Sequence, residues 1–88
     1  MNPESLQQRL IRYFEKAEKK FASITVVREG READLLLSSA RNYFSDARHF
    51  REQGDLISSL AALEYAEGFV DAARVLGLIH AEHTGELD

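Results

Sequence analysis

One long apolar stretch, residues 54–78, restricts the possible folds of this chain more than any other segment. Plotted at 100° per residue as a helix, four of its charged side chains share a single narrow strip. These residues are Glu64, Glu67, Asp71 and Arg74. Most of the remaining circumference is apolar or small, and a helix of that kind must be covered on more than one side. The stretch therefore predicts a central helix with other helices packed around it.

Two further helices are predicted before this stretch, and they supply its cover. Helix 1 is expected over about residues 3–22 and helix 2 over about 31–53, each with apolar side chains at three- and four-residue spacing. Helix 3 is expected over about 55–79. The Gly54-Asp55 turn is so short that helices 2 and 3 must form an antiparallel hairpin. The predicted fold class is all-α, a three-helix up-down-up bundle in which helix 3 is the most buried.

Length and composition limit the class of protein. The chain has 88 residues, which suits a single domain over residues 1–88 with a polar C-terminal tail. It contains no cysteine, so disulfides and thiolate metal sites are excluded. No apolar run approaches the ~18 residues of a membrane span, and the N-terminus lacks a signal-peptide pattern. We expect a cytoplasmic protein that has no cofactor and does not bind membranes.

The segment between helices 1 and 2 is the least regular part of the chain. Residues 24–27 form a β-branched run, which weakens helix propensity, and Gly30 follows. An isolated four-residue strand would have nothing to pair with. Residues 24–30 are therefore expected to be a frayed helix end followed by a loop.

Charge is distributed unevenly along the chain. Residues 1–54 contain ten Lys/Arg and eight Asp/Glu, a net charge of +2, whereas residues 55–88 contain one arginine and seven acids, a net charge of −6. This excess of acid argues against a domain that binds nucleic acid through general phosphate neutralisation. It leaves a local basic patch possible.

Five basic residues flank one side of predicted helix 1 over about three turns. They are Arg9, Arg12, Lys16, Lys19 and Lys20. One interpretation of this basic flank is a contact with phosphate or with an acidic partner. The other is charge complementarity inside the bundle, because helices 1 and 3 are parallel neighbours in an up-down-up arrangement. The second interpretation is favoured because it uses both charge asymmetries at once.

The acidic strip of helix 3 consists of Glu64, Glu67 and Asp71, at i, i+3, i+7 spacing. Three carboxylates on one side of a helix suggest a divalent-metal site or an acid/base pair. Carboxylate metal sites in bundles usually add histidines from facing helices, and the interior of helix 3 has none. A solvated strip, or one paired with Arg74, is therefore favoured.

Two histidine pairs are weaker candidates for metal ligands. His80 and His83 are three residues apart near the C-terminus, and Asp46 and His49 have the same spacing on predicted helix 2. Neither pair has a matching set of ligands on another element, so both are expected to be solvated surface residues. No metal site is assigned.

Helix 3 is too apolar to be covered by two helices alone. The sequence therefore predicts a homodimer, or a lasting protein-partner surface, on the uncovered part. The candidate partner-binding residues are Ala62, Tyr65, Phe69 and Leu76. Gly68 and Gly77, each read as costing about 1 kcal/mol relative to alanine inside a helix, favour close helix packing over an open ligand pocket.

Residues 43–78 also carry a family pattern. The matching residues are Tyr43-Phe44, Asp46-Ala47, Phe50, Gly54-Asp55, Ala61-Ala62, Tyr65-Ala66, Gly68, Asp71-Ala72 and Leu76-Gly77. In these positions the chain resembles the uncharacterised, largely archaeal family called domain of unknown function 357. That family commonly has His before the glycine and Trp after it, where this chain has Glu67 and Phe69, so no role of that His transfers. The resemblance implies a compact three-helix bundle of unknown function.

Nothing in the sequence points to an enzyme. It has no Gly-rich phosphate loop, no Ser/His/Asp arrangement supported by spacing and no zinc signature. We expect a non-catalytic protein–protein interaction module. The first alternative is an RNA- or DNA-associated accessory protein that uses the basic flank, and the second is a metal binder that uses the acidic strip.

Overall fold

The computed structural model describes residues 4–82 and contains three helices and two very short strands. In chain order these are α1 (Leu6–Ala22), β1 (Thr25–Val26), α2 (Arg31–Glu52), α3 (Leu56–Val75) and β2 (Ile79–His80). The predicted all-α class is confirmed, since the only sheet in this part of the chain has two residues in each strand.

The three helices run up, down and up, as predicted. Phe14, at the middle of α1, contacts Arg51 near the end of α2. Phe21, near the end of α1, meets Phe44 nearer the middle of α2 at a centroid distance of 4.7 Å, so these helices are antiparallel. Lys20, near the end of α1, contacts Asp71, near the end of α3, so α1 and α3 are parallel. The prediction that helix 3 is the most buried is also correct, because α3 contains seven buried residues and α1 and α2 five each.

The buried side chains form two clusters. The first joins all three helices and consists of Leu10, Tyr13, Phe14, Ala17, Phe44, Ala47, Ala62, Leu63 and Ala66. The second joins α2, α3 and the segment after α3, and consists of Ala33, Leu37, Ala40, Val70, Ala73, Leu78 and Ile79. Phe21 of α1 packs against both clusters and so connects them.

Local capping residues set the helix boundaries. Ser5 caps α1 in a capping box with Gln8, and the Asp55 carboxylate caps α3 by accepting a hydrogen bond from the Ser58 N–H at 3.1 Å. Gly54 has φ +80°, as expected for the left-handed residue that ends α2. The predicted start of helix 1 at residue 3 lies outside the described residues, and within them the helix begins at Leu6.

The predicted end of helix 3 near residue 79 is wrong, because α3 ends at Val75. Gly77 has φ +75°, and the N–H groups of Gly77 and Leu78 donate to the carbonyls of Arg74 and Ala73, each at 3.0 Å. This pair of bonds is a Schellman motif, in which the glycine follows the helix. Gly77 is therefore a helix terminator and not a helix-interior residue.

The prediction for residues 24–30 is also partly wrong. β1 lies in this segment and pairs in antiparallel fashion with β2, with Thr25 opposite His80 and Val26 opposite Ile79. The expectation that a strand here would have no partner failed because α3 ends early and returns the chain to this segment. A further bond, from the Glu82 N–H to the Ser23 hydroxyl at 2.7 Å, ties the C-terminal segment to the end of α1.

Candidate interaction surface

The side of α3 that faces away from α1 and α2 presents large apolar side chains to solvent. Among residues 4–82, the four most exposed large hydrophobic side chains belong to α3 or to its C-cap residue. They are Ile57 at 75% exposure, Tyr65 at 62%, Val75 at 75% and Leu76 at 61%. Single exposed apolar residues are normal on a protein surface, but a contiguous patch usually marks a binding surface.

These four side chains lie on one side of the helix. Ile57 and Val75 are about five turns apart and point in the same direction, and Tyr65 and Leu76 are rotated from them by about 80° and 100°. We refer to the following residues as the outer face of α3: Ile57, Ala61, Tyr65, Gly68, Ala72, Val75 and Leu76. The opposite side of the helix, centred near Ala66, is buried against α1 and α2.

A groove of about 640 Å³ runs along the outer face beside the flank of α2. Its lining residues are Leu36 of α2 and Ala61, Glu64, Tyr65, Gly68, Phe69 and Ala72 of α3. Glu64 is the one charged residue among them, and it is exposed. Ala61, Gly68 and Ala72 have little or no side chain, so they make a shallow floor that a helix or a ring can approach closely.

Two aromatic rings, Tyr65 and Phe69, form one wall of this groove, and a third ring supports them. Tyr43 of α2 stacks on Tyr65 and Phe69 of α3, with centroid distances of 5.2 and 5.6 Å and interplanar angles of 24° and 16°. Such pairs contribute about 0.5–1.5 kcal/mol each beyond the area that they bury. The stack holds the exposed Tyr65 ring in place, so little side-chain entropy is lost when a partner binds it.

Gly68 has no packing role within the chain. It lies inside α3 with a helical backbone, and a Cβ atom added to it would meet no side chain beyond its immediate chain neighbours, and no other helix, within 4 Å. A glycine at such a position costs about 1 kcal/mol of helix stability relative to alanine. A small residue usually permits another helix to pack closely, but no other helix of this chain packs on Gly68. A partner would pack there instead.

The structure separates the four predicted partner-binding residues. Tyr65 and Leu76 belong to the outer face, and the half-buried Phe69 lines its groove. Ala62 is a correction to the sequence prediction, because it is buried in the first core cluster. Its direction on the helix differs from that of Tyr65 by about 60°, which is enough to turn it towards α2.

Sequence reasoning missed other parts of this surface. Ile57 and Val75 were not among the candidates, although both fall on the same side of helix 3 as Gly68 at 100° per residue. Leu36 and Tyr43 of α2 were not among the candidates either, although Leu36 lines the groove and Tyr43 stacks on the two rings that form its wall. No local signal distinguishes a core position from the rim of a groove.

The acidic strip and the basic flank meet inside the bundle. The buried ammonium group of Lys20 donates hydrogen bonds to Glu67 Oε2 at 3.0 Å and to Asp71 Oδ1 at 2.9 Å. Burial lowers the pKa of Lys20, but the bonds to Asp71 and Glu67 outweigh it, so the pKa lies above its ordinary value. For these three residues the structure agrees with charge complementarity between helices 1 and 3. Glu67 is buried, so the interpretation of the acidic strip as a solvated surface does not hold for this residue.

The other members of the two charged sets have different surroundings. Arg12 pairs with Glu4 at 2.7 Å, and Arg9 lies 3.5 Å from the same carboxylate. Arg74 is 3.9 Å from Asp71, at the limit of an ion pair. Lys16 is half-buried, and Lys19 and Glu64 are exposed.

The structure does not assemble the candidate metal ligands into a set of three. The described part of the chain contains no group of three or more His, Asp or Glu side chains that could hold a metal ion. The Lys20 ammonium occupies the position between Glu67 and Asp71 where a cation would bind. Asp46, His49 and His80 are exposed, and His83 lies outside the described residues.

Comparison with known proteins identifies the family. The model of the family described as "Protein of unknown function (DUF357)" matches residues 12–79. The chain belongs to this family. The match covers most of α1 as well as α2 and α3, so the family resemblance extends well beyond residues 43–78. No curated protein matches this DUF357 chain, and the family description assigns no function.

A crystal structure of a DUF357 protein confirms the architecture. Protein AF1782 from Archaeoglobus fulgidus is 25% identical to this chain and superposes with a TM-score of 0.70. The superposition covers 88% of this chain and 93% of the archaeal one. Within residues 4–82, this DUF357 protein has no helix that is both long and apolar enough to cross a membrane.

Proposed function

We propose that this DUF357 protein is a non-catalytic protein–protein interaction module that binds its partner through the outer face of α3. The observation that carries the proposal is the exposure of four large apolar side chains beside an open groove. Burying one such side chain contributes about 1.5–3 kcal/mol. A partner that covered Ile57, Tyr65, Val75 and Leu76 together would gain enough free energy to offset part of the entropy lost on association.

The groove has the properties of an interface core. Its aromatic wall is preformed, its floor is flat at Gly68, and its one charged residue, Glu64, is exposed. Interface cores are typically depleted in charge and enriched in tyrosine, which supplies a large contact area with few rotatable bonds. These features favour a protein surface, such as a helix, over a small polar ligand.

Several of the charged residues that suggested other functions form ion pairs within the fold. Lys20 pairs with Glu67 and Asp71, which removes it from the basic flank and occupies two members of the acidic strip. Arg9 and Arg12 share the Glu4 carboxylate. No observation in the described residues therefore favours the nucleic-acid or metal alternatives over a protein partner.

An affinity purification tests the proposal. The tagged chain is incubated with lysate of its native host, and each sample is divided into nuclease-treated and untreated halves. We expect partners that survive nuclease treatment and are lost when Gly68→Arg replaces the wild type. The arginine side chain extends into the groove and would have to be desolvated when a partner binds, whereas its Cβ meets no neighbouring side chain within 4 Å.

A matched control keeps the interpretation specific. Asn42→Arg introduces the same side chain at an exposed position of α2 that does not line the groove, and it should retain every partner. Circular dichroism of both variants should match the wild type. Equal loss of partners from both variants, or loss from all samples on nuclease treatment, would contradict the proposal, and the second result would favour the basic flank.

A further inference from the structure

We propose that the cleft between α1 and α2 binds a small phosphate monoester that also carries an amino or hydroxyl group. This inference does not depend on the proposed function, because the outer face of α3 contributes no residue to the cleft. The volume of the cleft is about 410 Å³, which is in the range of small-molecule sites. Its lining residues are Glu18 and Phe21 of α1 and Arg41, Phe44, Ser45 and Arg48 of α2.

Two guanidinium groups, those of Arg41 and Arg48, line the α2 wall of this cleft. The two arginines are seven residues apart on one helix, so their directions differ by only about 20°. Both side chains are exposed, and neither forms an ion pair or a side-chain hydrogen bond within residues 4–82. Arg48 lies over the Phe44 ring, with its Cζ atom 4.4 Å from the ring centroid. That contact restrains the side chain without occupying its N–H donors, so less rotamer entropy is lost when a ligand binds.

Ser45 adds a hydroxyl group to the same wall. It follows Arg41 by four residues and precedes Arg48 by three, which are the spacings that make side chains neighbours on a helix. The Ser38 hydroxyl donates to the Leu35 carbonyl at 3.2 Å, whereas the Ser45 hydroxyl makes no hydrogen bond in the described part of the chain. Two guanidinium groups and one hydroxyl therefore have donors available to a single ligand.

This donor set suits a phosphate monoester better than it suits other anions. A guanidinium group can donate two parallel hydrogen bonds to one phosphate, and two such groups can share its oxygens. A phosphate monoester has close to two negative charges at neutral pH and three acceptor oxygens. A carboxylate, or a phosphodiester group of a nucleic acid or lipid, has one negative charge and two free oxygens. Two cations and a hydroxyl therefore match the monoester in both charge and number of acceptors.

The other wall and the floor of the cleft indicate what the phosphate is attached to. Glu18 of α1 is exposed and forms no ion pair within the described residues. Its carboxylate would repel a free phosphate ion, but it would accept a hydrogen bond from an amino or hydroxyl group of a larger ligand. On the floor, the half-buried Phe21 ring lies 4.7 Å from the Phe44 ring and offers an apolar contact to the carbon atoms between the two ends.

Titrations followed by amide NMR at constant ionic strength test the proposal with two probes, O-phosphoethanolamine and inorganic phosphate. We expect saturable shifts at Arg41, Ser45 and Arg48, and a lower dissociation constant for phosphoethanolamine than for phosphate. Arg48→Gln should raise both dissociation constants at least about tenfold, equivalent to roughly 1.4 kcal/mol, because charged hydrogen bonds are lost. Arg31→Gln makes the same substitution at an exposed position of α2 outside the cleft and should bind both probes as the wild type does.

Glu18→Gln tests the second wall. This variant should bind inorganic phosphate more tightly than the wild type, because a repulsive charge is removed, and its preference for phosphoethanolamine should disappear. A preference that survives in Glu18→Gln would overturn the role of this wall. The absence of saturable shifts in the wild type, equal weakening by Arg31→Gln and Arg48→Gln, or acetate binding as tight as that of phosphate would overturn the site. Binding of single-stranded RNA without binding of either probe would overturn it in favour of a nucleic acid.

The outcomes separate this inference from the proposed function. Gly68→Arg should bind both probes as the wild type does, because Gly68 does not line the cleft. A wild type that captures a nuclease-resistant partner but binds neither probe would overturn only the phosphate site. A wild type that binds both probes, while its captured partners are unaffected by Gly68→Arg, would support the phosphate site and overturn the proposed function.

Discussion

Lys20 shows how a buried charge is accommodated in a small bundle. Its side chain is 1% exposed and reaches from α1 to two carboxylates on α3. The second oxygen of Glu67, Oε1, is buried and accepts no hydrogen bond within the described chain. Removing two charges from water costs several kcal/mol, which incomplete hydrogen bonding does not fully return. We infer that this cluster sets the register of α1 on α3 more than it adds net stability.

Substitution of the pair should show strong coupling. Lys20→Met should lower the free energy of unfolding by about 3–5 kcal/mol, because it leaves the Glu67 carboxylate buried without its cation. The double variant Lys20→Met/Glu67→Leu should return to within about 1 kcal/mol of the wild type, since similar apolar volumes replace both charges. Urea unfolding is measured for the wild type, for Lys20→Met, for Glu67→Leu and for the double variant. Additive losses in the double variant would show that the two residues do not act as a pair.

The same lysine predicts a loss of stability in alkali. Its pKa is raised in the folded protein above the ordinary value of 10.5. A raised pKa stabilises the fold at every pH below the unfolded value, and the contribution disappears as pH rises through the folded pKa. Thermal unfolding between pH 8 and pH 12 should therefore show a steeper alkaline decline for the wild type than for Lys20→Met/Glu67→Leu. Parallel curves for the two proteins would refute a role for Lys20.

Among the elements, the segment after α3 contributes core residues and backbone hydrogen bonds in addition to the short strand β2. Leu78 and Ile79 belong to the second core cluster, and the carbonyl of Leu78 accepts bonds from the N–H groups of Val27 and Arg28 at 2.9 and 3.0 Å. The link between α1 and α2 is thereby fastened to the C-terminal end of α3. This segment closes the end of the bundle opposite the Gly54 turn.

Truncation of Ile79 should measure how much this closure contributes. Its side chain is 2% exposed, so Ile79→Ala should cost about 2–4 kcal/mol through lost burial and a residual cavity. Val27→Ala in the adjoining segment should change stability by less than about 0.5 kcal/mol, because that side chain is mostly exposed. Chemical denaturation compares the stabilities of the two variants. If Ile79→Ala destabilises the protein as little as Val27→Ala, β2 lies outside the cooperative core.

Two glycines of the α3 region should respond oppositely to alanine. Gly77→Ala should destabilise the protein by about 1–2 kcal/mol, because φ is +75° and L residues are strained there. Gly68→Ala should stabilise the monomer by about 0.5–1 kcal/mol, because the helix gains propensity and the added methyl meets nothing. Both are measured by urea unfolding at a protein concentration low enough to keep the chain monomeric. Destabilisation by Gly68→Ala under those conditions would contradict the open outer face.

At the scale of the whole molecule, stability and association are linked. A domain of this length buries only about 60–65% of its unfolded surface, so its stability alone is modest. A partner bound to the outer face would add burial that the single chain lacks. If that partner is a second copy, as the sequence predicts, the free energy of unfolding also rises with the logarithm of the protein concentration.

The melting temperature should therefore depend on protein concentration. For the wild type we expect a rise of several degrees over a hundredfold increase in concentration, and for Gly68→Arg a constant value. At the lowest concentration Gly68→Arg should be at least as stable as the wild type, because it improves helix propensity and places a cation four residues after Glu64. Differential scanning calorimetry provides the measurement, and a wild-type value independent of concentration would argue against a dimer.

Local patterns in the sequence determined the helical architecture. The three- and four-residue spacing of apolar side chains located all three helices, and Gly54 with Asp55 located the hairpin, because both signals act within a few residues. The uneven polarity of helix 3 correctly indicated that it is the most buried element. The family pattern in residues 43–78 identified the same family that matches residues 12–79.

The tertiary structure decided what depends on distant contacts. Lys20 and Glu67 are 47 residues apart, and periodicity alone left open whether the basic flank faces solvent or the acidic strip. β1 could not be predicted because its partner, β2, becomes available only when α3 ends at the Gly77 motif. The same holds for the outer face of α3, since hydrophobic periodicity shows that a side is apolar but not whether α1, α2 or solvent covers it.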